Sequence, residues 1–291
     1  MRDSTLVFHF GILFLFHFPL SAPPVMSDAT PSQTEAASDR RSADIAIVCS
    51  HIDEIRPFLK ALDRVRKYAD GSLTFRGGFI EEVLRIAIVE AGRQFPDHRR
   101  AAETLINEHN PAWIITAGFS GGLDEDLNHG DICLADSLCD QHGNSLPVRN
   151  PIPESSRIFV RQHVVADEQP QTAADKQALL QAHAAQVCDT TSLAVMQVCQ
   201  EKSTEQNRIR TLVARVIADE ASESLTPEGW EHLYRRPPGQ ALSGVSGWLG
   251  KIRRQPQDPW KERSELVAKN LSRFLFSVVK QIGEKLGKSV L

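Results

Sequence analysis

Two acids in this 291-residue chain stand close to where apolar runs stop. The run TLVARVIAD is rich in Val and Ile, reads as a buried strand, and ends on Asp219, with Glu220 next. In open α/β sheets, ligands sit at the carboxyl ends of strands, so an acid there is a candidate for proton transfer. The same position also suits a helix N-cap or a turn, where Asp is common. Glu54 follows a second run, DIAIVCS, at the start of what reads as a helix. An acid in a first turn is favoured by the helix dipole whether or not it does chemistry. Asp53 beside it leaves the register open by one residue. A third run, AWIITA, leads into GFSGGL, residues 118 to 123, where glycines at a strand end let backbone approach a ligand or make a tight turn. Arg93, in EAGRQ, sets a guanidinium beside a turn and is a candidate phosphate ligand.

Alternating strands and helices must position these groups. DIAIVCS reads as a first strand buried on both faces. SLTFRGGFI and VLRIAIVEAG read as a strand pair. DHRRAAETLINEHN has helical spacing and stops at Asn110-Pro111. GDICLADS and RIFVRQHVVAD read as strands. TAADKQALLQAHA, with Thr172 as N-cap, and TSLAVMQVCQE read as helices. A long C-terminal helix opens at Asp258-Pro259. The pattern predicts a single three-layer α/β/α domain with a mixed central sheet. Residues 44–291 form that domain, and residues 1–43 are a disordered or signal-like leader. Within the domain, 229–263 is a basic Trp/Pro-rich insertion, read either as a loop folded on the surface or as a face for a membrane or partner.

Composition narrows the function classes. The net charge of -4 gives no bias toward nucleic acid. Ten histidines lack HExxH spacing and five cysteines form no CxxC pair, so neither a metal nor a cofactor is implied. LVFHFGILFLFHFPL near the N-terminus has signal-peptide length, and Met26 opens a polar stretch after it. Unpaired, core-like cysteines favour a reducing compartment, hence the cytoplasm with Met26 as the start. Export is the alternative if residues 1–25 are a real signal.

Three stretches in the expected order resemble the nucleoside phosphorylase/nucleosidase superfamily. IAIVCSHIDEIRPF is similar to the family's opening strand with its acid, IITAGFSGGLDEDLNHGDICLAD to its TGxAGGL…GDIVVxD segment, and ARVIADEAS to VRxISDxAD. The likeness is nearest to the methylthioadenosine/S-adenosylhomocysteine nucleosidases, and the C-terminal part resembles the hopanoid-associated phosphorylase-like proteins. The resemblance implies a homodimeric nucleosidase of purine catabolism and methionine salvage. Asp219 would protonate N7 of the leaving purine, and Glu54 would orient the attacking water. Ser50, Gly118, Phe119, Ser120, Gly121, Asp189 and Thr191 would bind substrate. A carboxylate near the nucleophile repels phosphate, so hydrolysis is preferred over phosphorolysis. Three departures stand out. Thr190 and Thr191 replace the family's Met and ribose-gripping Glu, Ala218 replaces the Ser before the acid, and DEQPQ (167–171) carries no base-stacking aromatic. Two alternatives therefore stay open: a phosphate-dependent phosphorylase, and a degenerate member that binds a nucleoside without turnover.

Overall fold

The structure, a computed structural model, describes residues 42–71, 73–206, 208–234 and 259–288. The apolar N-terminal block and most of the 229–263 insertion lie outside the described residues. No described helix is long and apolar enough to cross a membrane.

The elements run β1 (Ile45–Cys49), a 3₁₀ turn (Ile52–Ile55), α1 (Arg56–Lys60), β2 (Asp63–Asp70), β3 (Leu73–Ile80), β4 (Leu84–Glu90), α2 (Phe95–His109) and β5 (Trp113–Gly122). They continue with β6 (Ile132–Asp140), β7 (Ser145–Pro147), β8 (Ile158–Val165), α3 (Ala173–His183), β9 (Val187–Asp189), α4 (Ser192–Lys202), β10 (Arg210–Asp219), α5 (Pro227–Tyr234) and α6 (Pro259–Lys285). Together the strands make one mixed sheet with helices on both faces, as the alternation predicts.

Burial explains the layering. β1 is buried at every position. Ile45, Ile47 and Cys49 share one cluster with α6, while Ala46 and Val48 share another with α2 and α4. Such a strand has no polar face to alternate, which is why it reads as a continuous apolar run. Part of the sheet closes on itself. β10 lies parallel to β5 and antiparallel to β6, and the path β6–β8–β9 returns to β5. The other limb, β1–β4–β3–β2, stays open and ends on β2.

Two features differ from the sequence reading. β2 is a strand that the apolar pattern does not reveal, because DRVRKYAD is exposed along its whole length. β5 does not end at the glycines. It runs on to Gly122, buried throughout, so GFSGG is strand and not turn. A β-bulge interrupts β10, whose Ile217 faces Ser120 while Asp219 faces Gly121. Such a bulge re-aims the side chain that follows it.

Candidate functional site

Glu54 is held by the short 3₁₀ turn after β1. Its Oε2 accepts from the His51 backbone N–H at 3.2 Å, closing the turn, and its Oε1 lies 3.5 Å from the Phe119 N–H of β5. The carboxylate that the sequence singled out for chemistry therefore also closes the turn. Gly118 leaves it room. A Cβ on Gly118 would stand 2.8 Å from Glu54 Oε2 and 2.6 Å from Arg215 Nη1. The glycine is required by two polar side chains that meet over the strand.

Arg215 is the residue that sequence reasoning passed over. It is 2% exposed, and it donates to Ser192 Oγ at 2.7 Å and to Thr116 and Thr191 Oγ1 at 3.2 Å. Asp189 Oδ2 lies 3.4 Å from its Nε. Asp189 also accepts from the Thr191 and Ser192 N–H groups at 2.8 Å, so it caps the start of α4. Burial opposes ionisation of Asp189, but Arg215 and His163 outweigh it and hold the carboxyl well below the usual range. Buried His163 packs its Nδ1 3.6 Å from Asp189, and burial lowers its pKa. A buried Arg in a Val/Ile strand is the one available sequence signal, since it must find acceptors.

Asp219 sits in a different setting. It is fully buried, ion-paired with the Lys176 ammonium of α3 and hydrogen-bonded by the Tyr234 hydroxyl of α5. Lys176 is equally buried and also donates to the Glu223 carbonyl at 3.0 Å. Burial pushes the Asp219 carboxyl up, against the pull of Lys176 and Tyr234 on the anion. Gln169 stands over Gly121 beside it, and its buried Nε2 has no hydrogen-bond partner among the described residues.

Two cavities open at this edge of the sheet. One, of about 460 Å³, is lined by Glu54, His51, Phe119, Arg93, Leu233 and the start of α6. The other, of about 520 Å³, is lined by Thr190, Val165, Ala166, Asp167, Phe95 and again Arg93. Asp219 lines neither, so the acids do not face each other across one open cavity. Between them lie Arg93 and the end of α5. Arg93 stacks 5.3 Å over the Tyr234 ring and donates to the Leu233 carbonyl at 3.3 Å, so its guanidinium is engaged with α5. Ser50 Oγ lies 3.4 Å from His98 Nε2, which bonds the Gly92 carbonyl at 2.8 Å. Ser120 Oγ donates to the Val216 carbonyl at 3.3 Å and is fully buried. Ser50 lines neither cavity, and Ser120 is turned into the sheet. The described residues hold no cluster of His, Cys, Asp and Glu that could bind a metal.

The phosphorylase superfamily model matches residues 44–170. No curated protein sequence matches the chain significantly. Among solved structures, the 5'-methylthioadenosine/S-adenosyl homocysteine nucleosidase of Campylobacter jejuni is similar at 15% identity and a TM-score of 0.61, over 84% of this chain and 100% of that one. The Colwellia psychrerythraea nucleosidase, solved in complex with adenine, matches at 15% identity and TM-score 0.61, over 86% and 98%. A futalosine hydrolase mutant of Helicobacter pylori matches at 16% identity and TM-score 0.55, over 81% and 99%. The family model thus matches the part of the chain that carries Glu54 and GFSGGL, and the solved structures share the fold through the strand that ends on Asp219.

Proposed function

We propose that the protein is an N-ribosyl hydrolase that cleaves the glycosidic bond of a purine nucleoside such as methylthioadenosine or adenosylhomocysteine. The carrying observation is the Glu54 carboxylate, fixed beside buried Arg215 over Gly118 and opening onto a cavity of nucleoside size. Cleavage moves negative charge onto the base and positive charge onto the sugar. Glu54 orients and deprotonates the attacking water, and its charge also favours the cationic sugar. Asp219 serves the base. Burial raises its pKa, as a general acid working near neutral pH requires, and Gln169 stands ready to read the base edge. In the described arrangement Tyr234 occupies the acid, so substrate entry must displace the end of α5.

Hydrolysis is favoured over phosphorolysis because the Glu54 carboxylate lining the cavity repels phosphate, and Arg56 is paired with Asp53. Thr191 stands at the ribose-gripping place but bonds Arg215, which supports looser hold on the sugar. Five free, buried cysteines support a reducing, cytoplasmic setting.

The test is incubation with methylthioadenosine, adenosylhomocysteine, adenosine and inosine, with and without phosphate. Base release should be independent of phosphate and should fall about 10²-fold or more in Asp219→Asn. Tight binding without base release from any of the four sinks the hydrolase reading and leaves the degenerate binder.

A further inference from the structure

The opposite end of the sheet carries a cavity of about 480 Å³ with a different chemistry. It lies at the first residues of β5 and β10, where Trp113 and Arg210 face each other in register. Arg149, Arg208 and Lys285, at the end of α6, complete a set of four cations on its lining, and no acid joins them. Trp113 is the buried wall, 7% exposed, with Arg210 5.9 Å over its ring. Its indole N–H is buried and has no acceptor among the described residues.

What distinguishes these cations is that they share one concavity without a carboxylate on its lining. Arg56, Arg64, Arg76, Arg99, Arg100, Arg157, Arg161 and Arg263 each lie within 4.0 Å of a carboxylate. None of the four around the cavity has an ion-pair partner among the described residues. Like charges gathered around one concavity repel and raise the local positive potential, and a bound anion relieves both. The C-terminus of α6 contributes roughly half a negative charge nearby, which four full positive charges outweigh. One carboxylate would neutralise one cation. A ligand with two or three phosphate groups brings three or more negative charges in a compact body. It also matches guanidinium forks, which bind phosphate oxygens in pairs.

We propose that this cavity binds a soluble small molecule carrying a di- or triphosphate group. Trp113 stands eight residues before Gly121, so at roughly 3.3 Å per residue the site is about 26 Å from the catalytic edge. It stands independently of the nucleosidase reading.

Calorimetric titration of the full chain with sodium tripolyphosphate, at constant ionic strength, tests this. The expected result is saturable one-site binding. The double variant Arg149→Ala/Arg208→Ala should weaken it by about tenfold per cation removed. Lys285→Ala should weaken it in the same sense. Arg66→Ala/Lys67→Ala removes equal charge from exposed β2 and should leave affinity within about twofold, which is the range of a remote surface charge. All these side chains are exposed, and matched thermal melts verify folding. The proposal is overturned by absent saturable binding to the wild type, or by equal weakening in both double variants. Binding to phosphatidylglycerol vesicles without binding to free tripolyphosphate overturns it equally.

Discussion

Glu54 and Asp219 are both buried carboxylates at strand ends on one edge of the sheet, yet their surroundings differ. Glu54 is held by backbone N–H groups and opens onto a cavity. Asp219 is held by two side chains, Lys176 and Tyr234, and opens onto nothing. A carboxylate that positions water must stay charged and accessible. One that delivers a proton gains from a dry site, where burial raises its pKa. The contrast is one of access: α5 covers Asp219 through Tyr234, while Glu54 lines a cavity.

The largest effect expected from disturbing this contrast follows loss of Lys176. Removing one partner of a fully buried pair leaves an uncompensated charge, so Lys176→Met should cost about 3–5 kcal/mol. Urea unfolding measures it, and a loss below about 1 kcal/mol would mean that the pair is hydrated. Glu54→Gln keeps its environment in shape and should change stability far less.

Next in size is a pH effect on the Glu54 side. His98 is fully buried with its pKa lowered by burial to about 4, against 6.5 when exposed. The unfolded chain takes up this proton first as pH falls, so stability is lost from about pH 6.5 down to about pH 4. The full loss is about 3 kcal/mol. His163 adds to it in the same direction, since burial lowers its pKa too. In His98→Gln, the midpoint of urea unfolding should vary less steeply over that window. An unchanged slope would count against neutral His98.

Gly118→Ala sharpens the comparison at its centre. The added methyl meets Arg215 and Glu54 inside 3 Å. Overpacking of this kind costs roughly 1–3 kcal/mol. Activity should fall further than Gly121→Ala would lower it through the Asp219 side, if Glu54 geometry is the more exacting. Equal kcat/KM losses would argue against that ranking.

The smallest expected change is in Tyr234→Phe. The phenol lowers the Asp219 pKa by donating to the anion. Without it that pKa rises, so the limb where activity declines with increasing pH should move to higher pH. A limb that moves down, or stays, would show that the phenol does not control the acid.

Much of this protein was legible from residue pattern. Continuous apolar runs marked β1, β5 and β10, because strands buried on both faces leave no polar alternation. Thr172 capped α3 as expected, accepting from the Asp175 N–H at 3.1 Å. Pro259 opened α6, whose missing N–H costs nothing in a first turn. Strand β2 was hidden because its exposure on both faces erases the signal that burial writes into sequence.

What the sequence by itself determined was the long buried strands and the family likeness. Each rests on local pattern or on motifs spanning a few residues. Tertiary structure alone decided the environments of the two acids. Lys176 looks like any helical lysine until α3 packs its ammonium onto Asp219. Tyr234 is 15 residues from that acid along the chain. Gly118 reads as a turn glycine until Arg215, 97 positions later in the numbering and beside it in the sheet register, claims the space a Cβ would take. Charge states and access depend on which distant groups share a small volume, and no window of neighbouring residues contains that information.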